Sequence, residues 1–206
     1  MDIPALWLRG LVIGFSIAAP VGPIGVLCIR RTLQGGRRLG LVSGLGAATA
    51  DAVYGSLAAF GVSLVVSLLT QQQFLLRVVG GIFLCYLGIR AFFFSRPTDP
   101  TTQTPSTASL MQGYVSTFLL TLTNPMTILS FAAVFSGLGL ATQGGDPQSA
   151  MAVVAGVFCG SALWWFTLSL IVSPLRGPLT TRGMVWINRV SGVVLLAFGV
   201  LALFHS

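Results

Sequence analysis

The chain has 206 residues, of which 54% are hydrophobic and only 7% charged. A water-soluble domain carries about 25% charged residues, so this composition excludes one and requires an integral membrane protein. The net charge of +7 is eleven arginines against four aspartates, without lysine or glutamate; the arginines lie between apolar runs, which points to membrane orientation and lipid headgroups and away from nucleic acid.

Six apolar runs are long enough to cross a hydrocarbon core of about 30 Å, at roughly 20 residues each. They cover residues 6–29, 40–65, 74–94, 111–138, 150–173 and 184–204. The first run holds Pro20-Val21-Gly22-Pro23 at its middle. Proline removes a backbone N–H and clashes with the preceding turn, while glycine offers no resistance to bending, so a helix breaks here. Freed backbone groups at membrane depth survive only inside protein or against a wet cavity, and transporters use such breaks to build binding sites. Asp2 precedes this run and no basic cluster leads it, so it reads as a retained span and not as a cleaved signal peptide.

The arginines between the runs are one-sided. Arg30, Arg31, Arg37 and Arg38 separate the first and second runs, Arg90 and Arg96 follow the third, and Arg176 and Arg182 join the fifth to the sixth. Positive-inside counting places these three connections in the cytoplasm and both termini outside. Residues 95–109, SRPTDPTTQTPSTAS, form the one polar linker. The single membrane domain, 1–206, is therefore read as repeat 1 (1–94), a cytoplasmic linker (95–109) and repeat 2 (110–206). Three spans is an odd number, so the two groups cross in opposite directions, as in an inverted repeat. Laying Gly10 on Gly113 carries the Val21-Gly22 break onto Asn124-Pro125, and Gly46 through Tyr54 falls on Gly156 through Trp164.

Asp51 is the only acidic residue inside a run. A charge near the midplane costs about 2.5–3.5 kcal/mol on insertion scales and marks a functional site by default. Two readings stay open for it: a proton or cation site, or a structural acid bonded to a carbonyl freed at Pro20–Pro23. In the fourth run Thr123-Asn124-Pro125 repeats the break, with polar side chains to patch the backbone. Half-helices starting after the two breaks aim positive dipole ends at a common centre, beside unwound carbonyls. That arrangement suits a zwitterion, with its carboxylate at the N–H ends and its ammonium at Asp51. Tyr54, Ser161, Trp164 and Trp165 lie at the depth of Asp51, with packing or cavity lining as the alternatives. The predicted substrate and proton-binding residues are thus Asp51, Pro20, Gly22, Pro23, Asn124, Pro125, Thr123, Tyr54, Ser161 and Trp164. Cys28, Cys85 and Cys159 fall in separate runs without metal spacing, and they read as small apolar fillers. No catalytic set, cofactor motif, metal site or phosphate-binding loop is present, so the chain reads as a transporter driven by a gradient.

These residues resemble the LysE-type translocators, the lysine-exporter and homoserine/threonine-resistance superfamily, over nearly the whole length. The likeness is carried by Pro20-Val21-Gly22-Pro23, Gly46 through Asp51, Tyr86-Leu87-Gly88, Asn124-Pro125 and Asn188-Arg189-Val190-Ser191-Gly192. Val21 and Met126 depart from it: the family's first break is commonly Pro-Gly-Pro, and lysine commonly follows its Asn-Pro. The resemblance implies an all-α protein of six transmembrane helices. It also implies proton-coupled export of an amino acid or similar small solute across the inner membrane, as a homodimer. A cation or heavy-metal exporter of the same superfamily is the nearer alternative, although a lone Asp51 makes a poor soft-metal site. A membrane thiol-redox carrier is further away, since its related folds use a cysteine in both the first and fourth spans, and 111–138 has none.

Overall fold

A computed structural model describes residues 2–20, 22–59, 72–93, 106–137, 147–177 and 179–204. The described residues form helices joined by short breaks and turns, without a strand: α1 (Ile3–Ala18), α2 (Pro23–Ala59), α3 (Gln73–Phe93), α4 (Thr107–Leu122), α5 (Pro125–Gly137), α6 (Pro147–Val172), a 3-10 turn (Ser173–Arg176) and α7 (Thr181–Phe204). By length and composition Phe74–Phe93, Pro147–Arg176 and Thr181–Phe204 each suffice to cross a membrane, and α1 with α2 makes a broken fourth. Of the remaining expected runs, 40–65 continues past Ala59 outside the described residues. The run 111–138 is divided between α4 and α5. Most of the Pro/Thr-rich linker, including Arg96, also lies outside them. Its end does not: the Ser106 hydroxyl accepts the Ser109 amide at 3.2 Å and so caps α4.

Both expected breaks are present. Pro20 has no N–H to give the carbonyl of Ser16, and the chain restarts as a helix at Pro23, where a fixed φ and a missing donor cost nothing. Gly22 serves as the cap, its carbonyl accepting the Val26 amide at 3.0 Å. At the second break Asn124 caps α5: Oδ1 accepts the Met126 amide at 3.2 Å, and Nδ2 donates to Thr127 Oγ1 at 3.1 Å.

The first arginine group corrects the sequence reading. Arg30 and Arg31 were expected in a connection facing headgroups, yet α2 runs helically through both. The chain reverses at Gly36, whose φ of 76° and ψ of −179° belong to a region that only glycine occupies at low cost. In a straight helix, residues twelve apart are separated by about 18 Å, but Arg31 Nη1 reaches Ser43 Oγ at 3.3 Å. Thus α2 is a hairpin of two helical arms, 23–35 and 37–59. Arg31 also donates to the Gly113 carbonyl (3.0 Å), Thr117 Oγ1 (2.6 Å) and Ser116 Oγ (2.6 Å) on α4. Arg30 Nε donates to Asn188 Oδ1 on α7 at 3.0 Å, and Gln34 Nε2 donates to the same oxygen. Hydroxyls and carbonyls on neighbouring helices draw the guanidinium groups inward, and no local pattern of residues 30–38 announces them.

Packing places α1 on α6, α4 on the second arm of α2, and α3 on α7. Small residues allow the backbones to touch. A side chain on Gly10 would strike the Val153 carbonyl, one on Gly156 the Trp7 carbonyl, and one on Gly160 the Leu11 carbonyl. Gly46 meets the Tyr114 carbonyl in the same way, and Gly88 and Gly192 oppose each other across α3 and α7. Between the arginines and the breaks sits an apolar core containing Leu27, Cys28, Ala47, Leu120, Trp165 and Leu195.

Candidate functional site

Asp51 lies on the second arm of α2, which Ala47, Ala48 and Ala50 make narrow enough to pack closely at this level. It is only 3% exposed. Ser161 Oγ, from α6, donates to Asp51 Oδ2 at 2.6 Å, and Trp165 Nε1 donates to Ser161 Oγ at 3.2 Å. Oδ1 makes no hydrogen bond among the described residues. A buried carboxyl engaged on one oxygen by a hydroxyl can hold or release a proton on the other without losing its position. Among the described residues no hydrogen bond joins Asp51 to a carbonyl of the Pro20–Pro23 break.

Asp51 borders a cavity of about 270 Å³. Pro20, Gly22 and Pro23 from the first break and Asn124 from the second line the same space, with the Thr121 and Thr127 hydroxyls. The first amides of a helix have no partner within it. Those of α2, at Ile24 and Gly25, therefore come to the cavity with the positive end of that helix dipole. The start of α5 borders it through Met126 and Thr127. One carboxyl and two helix starts thus border one space.

Of the other predicted residues, Thr123, Tyr54 and Trp164 are not among the described walls of this cavity. Pro125 begins α5, and its ring is not among the described side chains. Thr123 turns to its own helix, its hydroxyl donating to the Leu119 carbonyl at 2.9 Å, and lines a neighbouring cavity. Tyr54 is buried, and its hydroxyl donates to the Leu122 carbonyl, which lost its helical partner when Met126 turned its amide to Asn124. It is a support of the second break. Trp164 packs edge-on against Phe15 with ring centroids 5.4 Å apart. Trp165 faces the cavity in its place, and the signal for it was available: it stands one turn after Ser161, on the same helical face. Among the described residues no group of three or more His, Cys, Asp or Glu side chains converges.

A family model for LysE type translocators matches residues 15–206. The chain belongs to the LysE type translocator family. As such it is a membrane-integral transporter and not an enzyme. This translocator is 27% identical to a Bacillus subtilis protein named "Putative amino acid efflux protein YcgF", over 94% of its own length and 93% of that relative. It is 30% identical to the Escherichia coli membrane protein YahN, over 85% and 77% of the two chains. It is 27% identical to the Pseudomonas aeruginosa chemotactic transduction protein ChpE, over 97% and 98%. No solved structure matches it.

Proposed function

We propose that this translocator exports an amino acid in exchange for protons by alternating access, in a bacterial inner membrane with both termini outside. The observation that carries the reading is Asp51, a buried carboxyl on a cavity bounded by both helix breaks. A proton and a solute ammonium compete for its free oxygen. Solute binding favours release of the proton, and reprotonation favours release of the solute. The solute carboxylate sits at the start of α2, where the free amides of Ile24 and Gly25 and the helix dipole favour negative charge, with the dipole of α5 beside it. The name of the Bacillus relative supports amino acids as the solute class.

The inverted repeat belongs to this proposal. The first helix of each half packs on the second helix of the other, α1 on α6 and α4 on α2, and the third helices pack together. That reciprocal pairing is what a twofold relation in the membrane plane requires, and it puts the Asp51–Ser161 pair between the halves. In this cycle the Arg31 contacts close the cytoplasmic end, and they must break for loading.

The deciding experiment is export from reconstituted liposomes under an imposed proton gradient, comparing wild type with Asp51→Asn. The amide preserves shape and hydrogen bonding but cannot ionise, so the variant should insert normally and lose proton-driven transport. Wild-type rates with unchanged dependence on the gradient would leave Asp51 as a structural partner of Ser161 and sink the coupling role.

A further inference from the structure

The Asp51 cavity is not alone. A second cavity, of about 360 Å³, lies between α3, the α4–α5 break and α7. The two share Pro23, Asn124, Met126 and Phe198 as walls. Their chemistry differs sharply. The first holds Asp51, Thr121 and Thr127, whereas Gly81, Leu84, Leu129, Leu201 and Ala202 line the second, beside Thr123, whose hydroxyl is spent on its own helix. Arg77 is the one charged side chain among its described walls, and it already has a partner of its own.

We propose that the second cavity receives the side chain of the transported amino acid, which is therefore neutral, large and apolar: branched aliphatic, thioether or aromatic. This rests on the amino-acid reading above and narrows it. Charge counting comes first. The ammonium of the solute occupies Asp51 and its carboxylate occupies the start of α2. A basic side chain would need a second acid, and neither cavity has one among its described walls. An acidic side chain would need a cation of its own, and the one among the described walls, Arg77, already has an interaction elsewhere to give up. Burying an unpaired charge in either case is costly.

Continuity comes second. The walls in common let one molecule reach both spaces, with its polar head in one and its apolar end in the other. Met126 stands where they meet, and an unbranched thioether rearranges around different side chains at little cost. Orientation by a few polar groups and affinity from apolar walls is the ordinary division of labour in a small-molecule site.

The test is calorimetric binding to the purified protein in lipid nanodiscs, using L-alanine, L-leucine, L-phenylalanine, L-lysine and L-glutamate. Each buried methylene is worth about fourfold in affinity, so leucine should bind roughly 50-fold more tightly than alanine. Leucine and phenylalanine should both outbind lysine and glutamate. Ala202→Phe fills the second cavity and should remove most of the leucine advantage while alanine's affinity moves far less. Leu201→Trp repeats the test on a wall that is already 58% exposed, in case the first variant folds poorly. Lysine or glutamate binding tightest, or a leucine-to-alanine ratio that survives both substitutions, overturns this inference and leaves the amino-acid reading standing. Leucine no tighter than alanine, with a retained phospholipid that Ala202→Phe releases in native mass spectrometry, assigns the cavity to an acyl chain and also overturns it. Failure of every amino acid to bind defeats both readings.

Discussion

Arg31 gives the sharpest quantitative expectation. Its guanidinium makes four hydrogen bonds, to Ser43 Oγ, the Gly113 carbonyl, Thr117 Oγ1 and Ser116 Oγ, and none of these acceptors is a carboxylate. A net hydrogen bond contributes about 0.5–1.5 kcal/mol. Because Arg31 is only partly buried and regains water when its contacts break, the four together are worth about 2–4 kcal/mol after discounting for solvent. Losing them should raise the population open to the cytoplasm by roughly 30-fold or more. Thr117→Val removes one of the four Arg31 bonds, at 2.6 Å, together with an intrahelical bond to the Gly113 carbonyl that both states can keep; the Arg31 bond alone is about 1 kcal/mol, so the open population should rise about fivefold. Cys28 is the reporter: it lies one turn before Arg31, 1% exposed, in the core that separates the arginines from the Asp51 cavity. With Cys85 and Cys159 replaced by alanine, a membrane-impermeant maleimide is applied to inside-out vesicles and the rate of Cys28 labelling is measured. Arg31→Ala should label at least 30-fold faster than wild type, with Thr117→Val between them. Equal rates in all three, in protein that remains helical and monodisperse, would refute the closing role of Arg31.

Two further expectations follow from the backbone and the arginine pattern. Gly36→Ala should destabilise the protein by about 1–3 kcal/mol, since φ 76° with ψ −179° is a glycine region. Gly22→Ala, where an added Cβ meets nothing within 4 Å, should stay within about 0.5 kcal/mol; thermal unfolding in detergent compares the two, and equal losses would refute the argument. Cysteines introduced at Arg38 and at Gln72, both exposed, should react from opposite sides of the membrane, Arg38 from the cytoplasm. Labelling of Arg38→Cys from outside in intact cells would end the orientation with both termini outside.

Much of the site was legible because its makers are local. Pro20, Gly22, Pro23 and Asn124 act on their own backbone, so their effect follows from residue type alone. Asp51 stands out for the same reason, as a charge in an apolar run. What escaped the sequence depends on partners far along the chain. Arg31 takes most of its acceptors from α4, more than eighty residues away, so nothing near it separates a buried brace from a headgroup contact. The reversal at Gly36 likewise rests on one glycine's φ, in a helix that has six other glycines. Trp164 and Trp165 differ by about 100° around a helix, and only the bond from Trp165 to Ser161 decides which one faces Asp51.

The glycine contacts between α1 and α6 have a mechanical consequence. Gly10, Gly14, Gly156 and Gly160 bring the two backbones together with no side chain between them to act as a bearing, so α1 is fastened to α6. Beyond the break, the first arm of α2 is fastened elsewhere, by Arg31 to α4 and by Arg30 and Gln34 to Asn188 on α7. The apolar run that reads as a single membrane crossing is thus held by different neighbours before and after its break. Any displacement of α1 against the first arm of α2 would be delivered as torsion to the break between Ala18 and Pro23. The Asp51 cavity is built on that break, so in the proposed alternating-access cycle its shape would change with each such displacement.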